Sequence, residues 1–277
     1  MALRLLILAF VFSVRSLCAQ SVNTLMGARA TGLGFASSTL SDEWSLFNNV
    51  GGLAKVDRFS GAFAYEVIPS LPGTRRMAAA LNTPFKFGTA GFGFFRFGDD
   101  LYNEQMISGG FSNQFGIASL GLKVNYIQYR AEGFGVKSAV SINFGGIAEI
   151  TPKISIGAYV TNINQPKISI QDNERIPTRM AAGVNFKPTN IILLFIEVEK
   201  DINYDATIKG AFEYTIHEKV FLRTGFNLHP NAGCFGLGFK ARRVKIDYGM
   251  MYNEALSFVH QASVICRIEK KRKADEN

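Results

Sequence analysis

Apolar and polar residues alternate along most of this chain. Val136, Ser138, Val140, Ile142 and Phe144 share one face of an extended segment, and Lys137, Ala139, Ser141, Asn143 and Gly145 share the other. Leu120, Leu122, Val124 and Tyr126 likewise oppose Ser119, Gly121, Lys123 and Asn125. Ile208, Gly210, Phe212 and Tyr214 oppose Thr207, Lys209, Ala211 and Glu213. The pattern recurs in about fourteen runs: 59–68, 75–83, 87–97, 102–113, 115–130, 136–149, 153–165, 177–187, 190–200, 205–216, 219–229, 231–241, 243–252 and 256–268. Turn signals such as Pro72-Gly73, Gly98-Asp99-Asp100, Glu132-Gly133 and Pro230-Asn231 separate them. No helical period intervenes, so a parallel α/β sheet is excluded.

Two architectures fit this ladder. One is an exported soluble β-sandwich that binds a ligand or surface. The other is a transmembrane barrel, built from alternating segments of about ten residues with an even strand number. The barrel is favoured on three grounds. The runs exceed the roughly five or six residues typical of soluble strands. Their polar face is rich in Gly, Ala, Ser and Asn, as a wet lumen requires. Fourteen is also even. The expected fold is all-β: a transmembrane antiparallel β-barrel of about 14 strands over residues 57–268.

Composition agrees. Of 277 residues, 47% are hydrophobic and 19% charged, with 27 Gly and 24 Phe. That apolar content excludes a disordered chain, and three cysteines exclude a disulfide scaffold. Residues 1–19 read as a signal peptide, with Arg4 ahead of the apolar run Leu5–Val14 and a small residue, Ala19, before Gln20. Removing Arg4 and Arg15 with it lowers the formal charge from +8 to +6. Beyond Gln20 the longest apolar run, Ile191–Ile196, is far short of the roughly 20 residues of a membrane helix. The expected location is the outer membrane of a Gram-negative bacterium.

Residues 20–56 do not alternate. Gly27 to Gly34 is Gly-rich, and Ser41 is placed to cap a short helix that carries Asp42 and Glu43 in its first turn and ends at Asn49-Val50-Gly51-Gly52. Ahead of a barrel, such a segment can fold inward as a plug. Gly27-Ala28-Arg29-Ala30-Thr31-Gly32-Leu33-Gly34, followed by Leu40 to Ala54 (LSDEWSLFNNVGGLA), resembles the start of the PorV/PorQ family. That family is similar in turn to the FadL-type outer-membrane barrels. Val50 and Gly51 stand where it commonly has Pro and Ala. Phe258 to Ile268 is similar to the family's last strand, after which 269–277 adds a charged tail. The resemblance implies a plug motif of Gly27, Arg29, Gly32, Gly34, Asp42, Trp44, Phe47, Asn49 and Gly52.

Little else in the chain suggests chemistry. Leu33-Gly34 occupies the place where a phosphate-binding loop needs Lys and Ser or Thr. His217, His229 and His260 lie too far apart for a zinc site. No GxSxG elbow supports a lipid hydrolase. No catalytic residue, cofactor or metal is therefore expected. The basic excess is interspersed with acids, and export removes the chain from nucleic acid. Lys123, Lys137, Glu149, Arg179, Glu197, Lys209, Glu213, Arg223, Asp247 and Arg267 share the inferred lumen face, where both signs favour salt bridges over a charged pathway. Phe59, Tyr65, Phe87, Phe97, Tyr126, Tyr129, Tyr159, Phe186, Tyr214, Phe221, Tyr248 and Tyr252 are candidates for interfacial girdles. The partners expected are outer-membrane lipid and either hydrophobic small molecules or secretion-system proteins. The family resemblance implies FadL-like passage of small hydrophobic molecules or a component beside the type IX secretion apparatus. An exported binding sandwich is the alternative, with a lipid hydrolase behind it.

Overall fold

The computed structural model describes residues 23–168 and 175–268. Fourteen antiparallel strands close into one barrel. They are β1 (Phe59–Val67), β2 (Arg76–Phe85), β3 (Gly88–Gly98), β4 (Tyr102–Phe115), β5 (Ala118–Ala131), β6 (Gly135–Thr151), β7 (Ile154–Thr161), β8 (Arg179–Thr189), β9 (Ile192–Asp201), β10 (Thr207–Ile216), β11 (Val220–Leu228), β12 (Asn231–Lys240), β13 (Val244–Asn253) and β14 (Ser257–Ile268). Each alternating run in the sequence corresponds to one strand. Closure joins β1 to β14, from Phe59↔Ile268 to Val67↔His260. Every strand thus has two neighbours and the sheet closes on itself.

The strand faces settle the choice between sandwich and barrel. On β5, Leu122 on the outer face is 51% exposed, while its neighbour Lys123 on the inner face is 2% exposed. The same inversion runs round the barrel: Phe92, Phe111, Val140, Val184, Ile196, Phe226, Leu237 and Ile246 all project outward. Open, lipid-exposed strands would leave unpaired backbone in hydrocarbon, so a closed barrel with an apolar wall is the form that can span a membrane. The chain is a transmembrane barrel, not a sandwich.

The two ends differ. Where β1 begins and β14 ends, turns of two or three residues join β2–β3, β4–β5, β6–β7, β8–β9, β10–β11 and β12–β13. At the other end the β1–β2 loop spans 68–75 and the β7–β8 connection spans 162–178. Short turns on one side and longer loops on the other are the usual periplasmic and extracellular ends of such barrels.

Residues 23–56 lie inside the barrel and are almost wholly buried. They contain one short helix, α1 (Ala28–Gly32), and a 3-10 helix at Val50–Lys55. The helix expected to start at Ser41 is absent, and turns occupy that stretch. Local side chains compete there for the backbone. Asp42 Oδ1 accepts from the Trp44 N–H at 3.0 Å, and the Ser45 hydroxyl oxygen accepts from the Asp42 N–H at 3.0 Å. The Asn48 amide pairs both ways with the Met26 backbone, at 3.2 and 3.0 Å.

Several expected positions need correction. Lys137 is exposed and outside the lumen, because β7 pairs with β6 only from Phe144 onward and leaves the β5–β6 hairpin standing free. Glu149 sits on the opposite rim, where it meets Lys55 at 3.1 Å. Four of the girdle candidates, Phe97, Tyr129, Tyr159 and Phe221, fall on the inner face. Phe59, Phe87, Tyr126, Phe186, Tyr248 and Tyr252 are exposed on the outside. Cys234 is buried in the lumen and Cys266 is exposed on the outer wall. The signal sequence and the charged tail lie outside the described residues.

Candidate functional site

Among the described residues, buried charged side chains gather in the lumen. Burying a charge is costly unless it is paired, so its partners show what the lumen is built to hold. Four sets of contacts tie the inner segment to the wall.

The first set centres on α1. Arg29 grips Glu213 of β10 with two parallel bonds, Nε–Oε2 at 2.9 Å and Nη2–Oε1 at 2.7 Å. Its third nitrogen reaches Asp42 Oδ2 at 3.2 Å. Glu213 also accepts from Arg223, which bonds Asp247 at 2.8 Å. Lys245 Nζ completes the row 3.4 Å from Asp247. Such bidentate, charge-assisted contacts are among the stronger hydrogen bonds.

The second set holds the turn after α1. Lys209 Nζ donates to the Phe35 carbonyl at 3.0 Å, to Glu197 at 3.0 Å and to Glu199 at 2.8 Å. Glu197 Oε2 in turn accepts from the Ser38 N–H at 2.6 Å. Arg179 lies 3.6 Å from both Glu199 and Asp201. In the third set Arg76 joins Glu66, and its Nη1 donates to the Asn23 carbonyl at 2.6 Å. Gln261 donates to the same Glu66 at 2.7 Å. In the fourth, Arg267 donates to Glu43.

Apolar packing fills the space between. Trp44 and Phe47, 6.1 Å apart by ring centroid, sit with Met26, Leu46, Val50 and Leu53 in one buried cluster. Leu33, Phe35 and Leu40 form a second cluster with Tyr159 and Phe195. Asn49 donates to the carbonyls of Gly146 at 3.0 Å and Ala158 at 3.3 Å, and its Oδ1 caps the 3-10 helix through the Gly51 N–H at 3.0 Å. The backbones of segment and wall touch at glycines. A Cβ on Gly32 would lie 2.8 Å from the Gly236 Cα, and one on Gly51 would lie 2.6 Å from the Gly146 Cα. Gly27 precedes α1 against Trp44, Gly34 abuts Asn227 and Cys234, and Gly52 packs on Leu40 and Ser45.

Lys123 stands apart. It is 2% exposed, its Nζ lies 5.7 Å from the centre of the Phe47 ring, and no carboxylate among the described residues pairs with it. Above it Ser108, Asn125 and Ser141 form a polar ladder with bonds of 2.7 and 2.9 Å.

At the loop end a cavity of about 40 Å³ remains, lined by Leu25, Met106, Asn125, Ile127, Asn143 and Ile176 among others. Asn162, Ile176 and Pro177 of the β7–β8 connection roof it. Ile176 is fully buried in the same cluster as Met26, Met106 and Ile127. Asn164 extends the edge of β6, accepting from the Ile142 N–H at 3.0 Å and donating to the Val140 carbonyl at 2.8 Å. Ile176→Ala should therefore release this roof at a cost of roughly 2–4 kcal/mol. Limited trypsin digestion of the folded barrel would then cut at Lys167 or Arg175 much faster than in the unaltered chain; an unchanged rate would refute the role given to Ile176.

Sequence reasoning passed over several of these contacts. Arg76, Glu66 and Gln261 share the inward phase of their strands, a signal available from alternation. Glu43 was visible only as a first-turn acid. The wall glycines and Ile176 gave no local sign, because their partners are remote in sequence. Among the described residues, no group of three or more His, Cys, Asp or Glu is placed to hold a metal ion.

No family model matches the sequence, and no curated protein does either. Solved structures do match. The CymD monoaromatic hydrocarbon channel superposes with a TM-score of 0.70 at 11% identity, covering 91% of this chain and 100% of that one. The toluene transporter TbuX of Ralstonia pickettii gives 0.69 at 10% identity, covering 89% and 99%. TodX, the toluene transporter of P. putida, gives 0.65 at 10% identity, covering 90% and 100%. At these identities what is shared is the architecture: this chain has the same barrel fold as those three channels.

Proposed function

We propose that the protein is a non-enzymatic outer-membrane channel for small hydrophobic molecules, exported by its signal peptide and closed by residues 23–56. The observation that carries this reading is the filled lumen: a separate segment, anchored by ion pairs to β6, β10 and β14 and by hydrogen bonds from its backbone to charged side chains of β2 and β9, occupies the barrel interior. The fold shared with the CymD, TbuX and TodX channels supports the same solute class. The cavity at the loop end, about 40 Å³, is well below the roughly 150 Å³ that accommodates benzene in an engineered protein cavity. With residues 23–56 filling the lumen, passage requires the inner segment to move.

The type IX secretion reading rests on the sequence motifs at Gly27–Gly34 and Leu40–Ala54 alone. Docking of secreted proteins needs surface, and apart from 68–75 and 162–178 the loops of the long-loop end are short. Channel function is the better supported of the two.

Deletion of residues 23–54 tests the proposal. Heat-modifiable gel mobility first establishes that the shortened chain still forms a barrel. In reconstituted membranes it should conduct ions and pass toluene at a rate well above the full chain. Equal flux from both folded proteins would defeat the proposal.

A further inference from the structure

The two rims of the barrel carry opposite charge. In the short turns at the end where β1 begins, Lys86, Lys153, Lys219, Arg242 and Arg243 are exposed, with Lys240 beside them at the end of β12. Glu218 is the only acid within those turns. At the opposite end Asp99, Asp100, Glu132, Asp205 and Glu254 outnumber Arg75, Lys167 and Arg175 among the described loop residues.

Three observations indicate what the basic rim meets. Lys86, Lys153, Lys219 and Lys240 form no ion pair with any described residue. A backbone hydrogen bond of 2.7 Å from Lys240 to Lys219 sets two of them side by side, where like charges repel. Three of the four also lie close in sequence to exposed apolar groups: Phe85 and Phe87 to Lys86, Ile150 and Ile154 to Lys153, and Phe239 to Lys240. The Lys86 ammonium lies 5.7 Å from the Phe87 ring centre. Cations next to a greasy band lie at the depth where acyl chains give way to head groups, and long basic side chains can reach that boundary.

We propose that this rim is a binding ring for anionic phospholipid head groups in the leaflet at the short-turn end. The four lysines, without an ion pair among the described residues, come from hairpins spread round the barrel. A ring of this kind fits an annulus of lipid, whereas a protein partner would meet a patch on one side. Bound phosphates supply the missing counter-charge and relieve the Lys219–Lys240 repulsion. The inference is independent of what passes through the lumen.

The test uses the full chain in neutral detergent, titrated with phosphatidylglycerol and with phosphatidylcholine of the same acyl chains. Native mass spectrometry reads how much of each is retained. The unaltered protein should prefer phosphatidylglycerol, less so at high salt. The variant K86Q/K153Q/K219Q/K240Q should keep its heat-modifiable mobility and lose at least about tenfold of that preference. A matched variant at the other rim, R75Q/K167Q/R175Q, should keep it. Equal retention of both lipids by the unaltered chain overturns the proposal. So does an undiminished preference in the four-lysine variant, which would place the lipid contacts outside these four side chains.

Discussion

Glu213→Gln will unseat the inner segment while leaving the barrel intact. Glu213 is the hinge of the largest ionic network, bound at once by Arg29 on α1 and by Arg223 on the wall. The substitution preserves shape and removes the charge, so two guanidinium groups remain buried with only Asp42 and Asp247 to balance them. Breaking a buried pair in this way typically costs about 3–5 kcal/mol, because a charge is left uncompensated. The barrel's own hydrogen-bonded closure does not depend on it. Cys234 reports the result, since it is buried beside Gly34 of the inner segment. In a Cys18→Ser, Cys266→Ser background, a water-soluble thiol reagent should label Cys234 faster by roughly two to three orders of magnitude in the variant. Glu149→Gln is the contrast. Glu149 is 53% exposed and its partner Lys55 26%, so that rim pair contributes less than about 1 kcal/mol and labelling should scarcely change. Equal labelling rates in Glu213→Gln and the parent would mean that this network does not hold the segment in place.

Gly51→Val should act on the opposite wall by a purely steric route. The Cβ it adds would sit 2.6 Å from the Gly146 Cα and 2.9 Å from the Gly145 carbonyl oxygen, both backbone atoms that cannot swing aside. The two extra methyl groups deepen the clash. Overpacking of this kind costs about 1–3 kcal/mol, and more where the neighbour is rigid. The segment can relieve it only by lifting away from β5 and β6, so single-channel conductance should rise from near zero. Gly109→Val, at a position with nothing within 4 Å of the new Cβ, should fold normally and stay closed. Silent channels in Gly51→Val, with folding confirmed by gel mobility, would show that the contact with Gly146 is dispensable.

The two variants pull on different elements, and their combination is informative. Glu213 touches α1 on the β10–β11 side; Gly51 lies in the 3-10 helix against β5 and β6. If the segment moves as one body, each should both raise conductance and expose Cys234. If it can open at one end, Gly51→Val should raise conductance and leave Cys234 slow.

Much of this architecture is written in period-2 alternation. A strand's side chains point to alternate faces whatever the strand pairs with, so fourteen runs translate directly into fourteen strands, and Lys209, Glu213 and Arg223 fall on one phase with no knowledge of their partners. The inner segment was legible as an interruption of that pattern, but its local conformation was not. Ser41, Asp42 and Glu43 look like a helix start, yet Asp42, Ser45 and Asn48 spend their side chains on nearby backbone and hold turns instead. Lys137 and Glu149 show the limit of phase: both point to the inward side, and both lie past the ends of the lumen.

Alternation, composition and the absence of any long apolar helix thus specify the class of fold and the face on which each strand residue lies, because those properties depend on near neighbours alone. Everything that makes the lumen a closed site depends on contacts between distant parts of the chain. Arg29 and Glu213 are 184 residues apart, and Asn49 meets Ala158 across 109. Only when β1 pairs with β14 does the inner face become an enclosed space of low dielectric. There an unpaired charge is expensive, glycines are required where backbones touch, and a plug can be held.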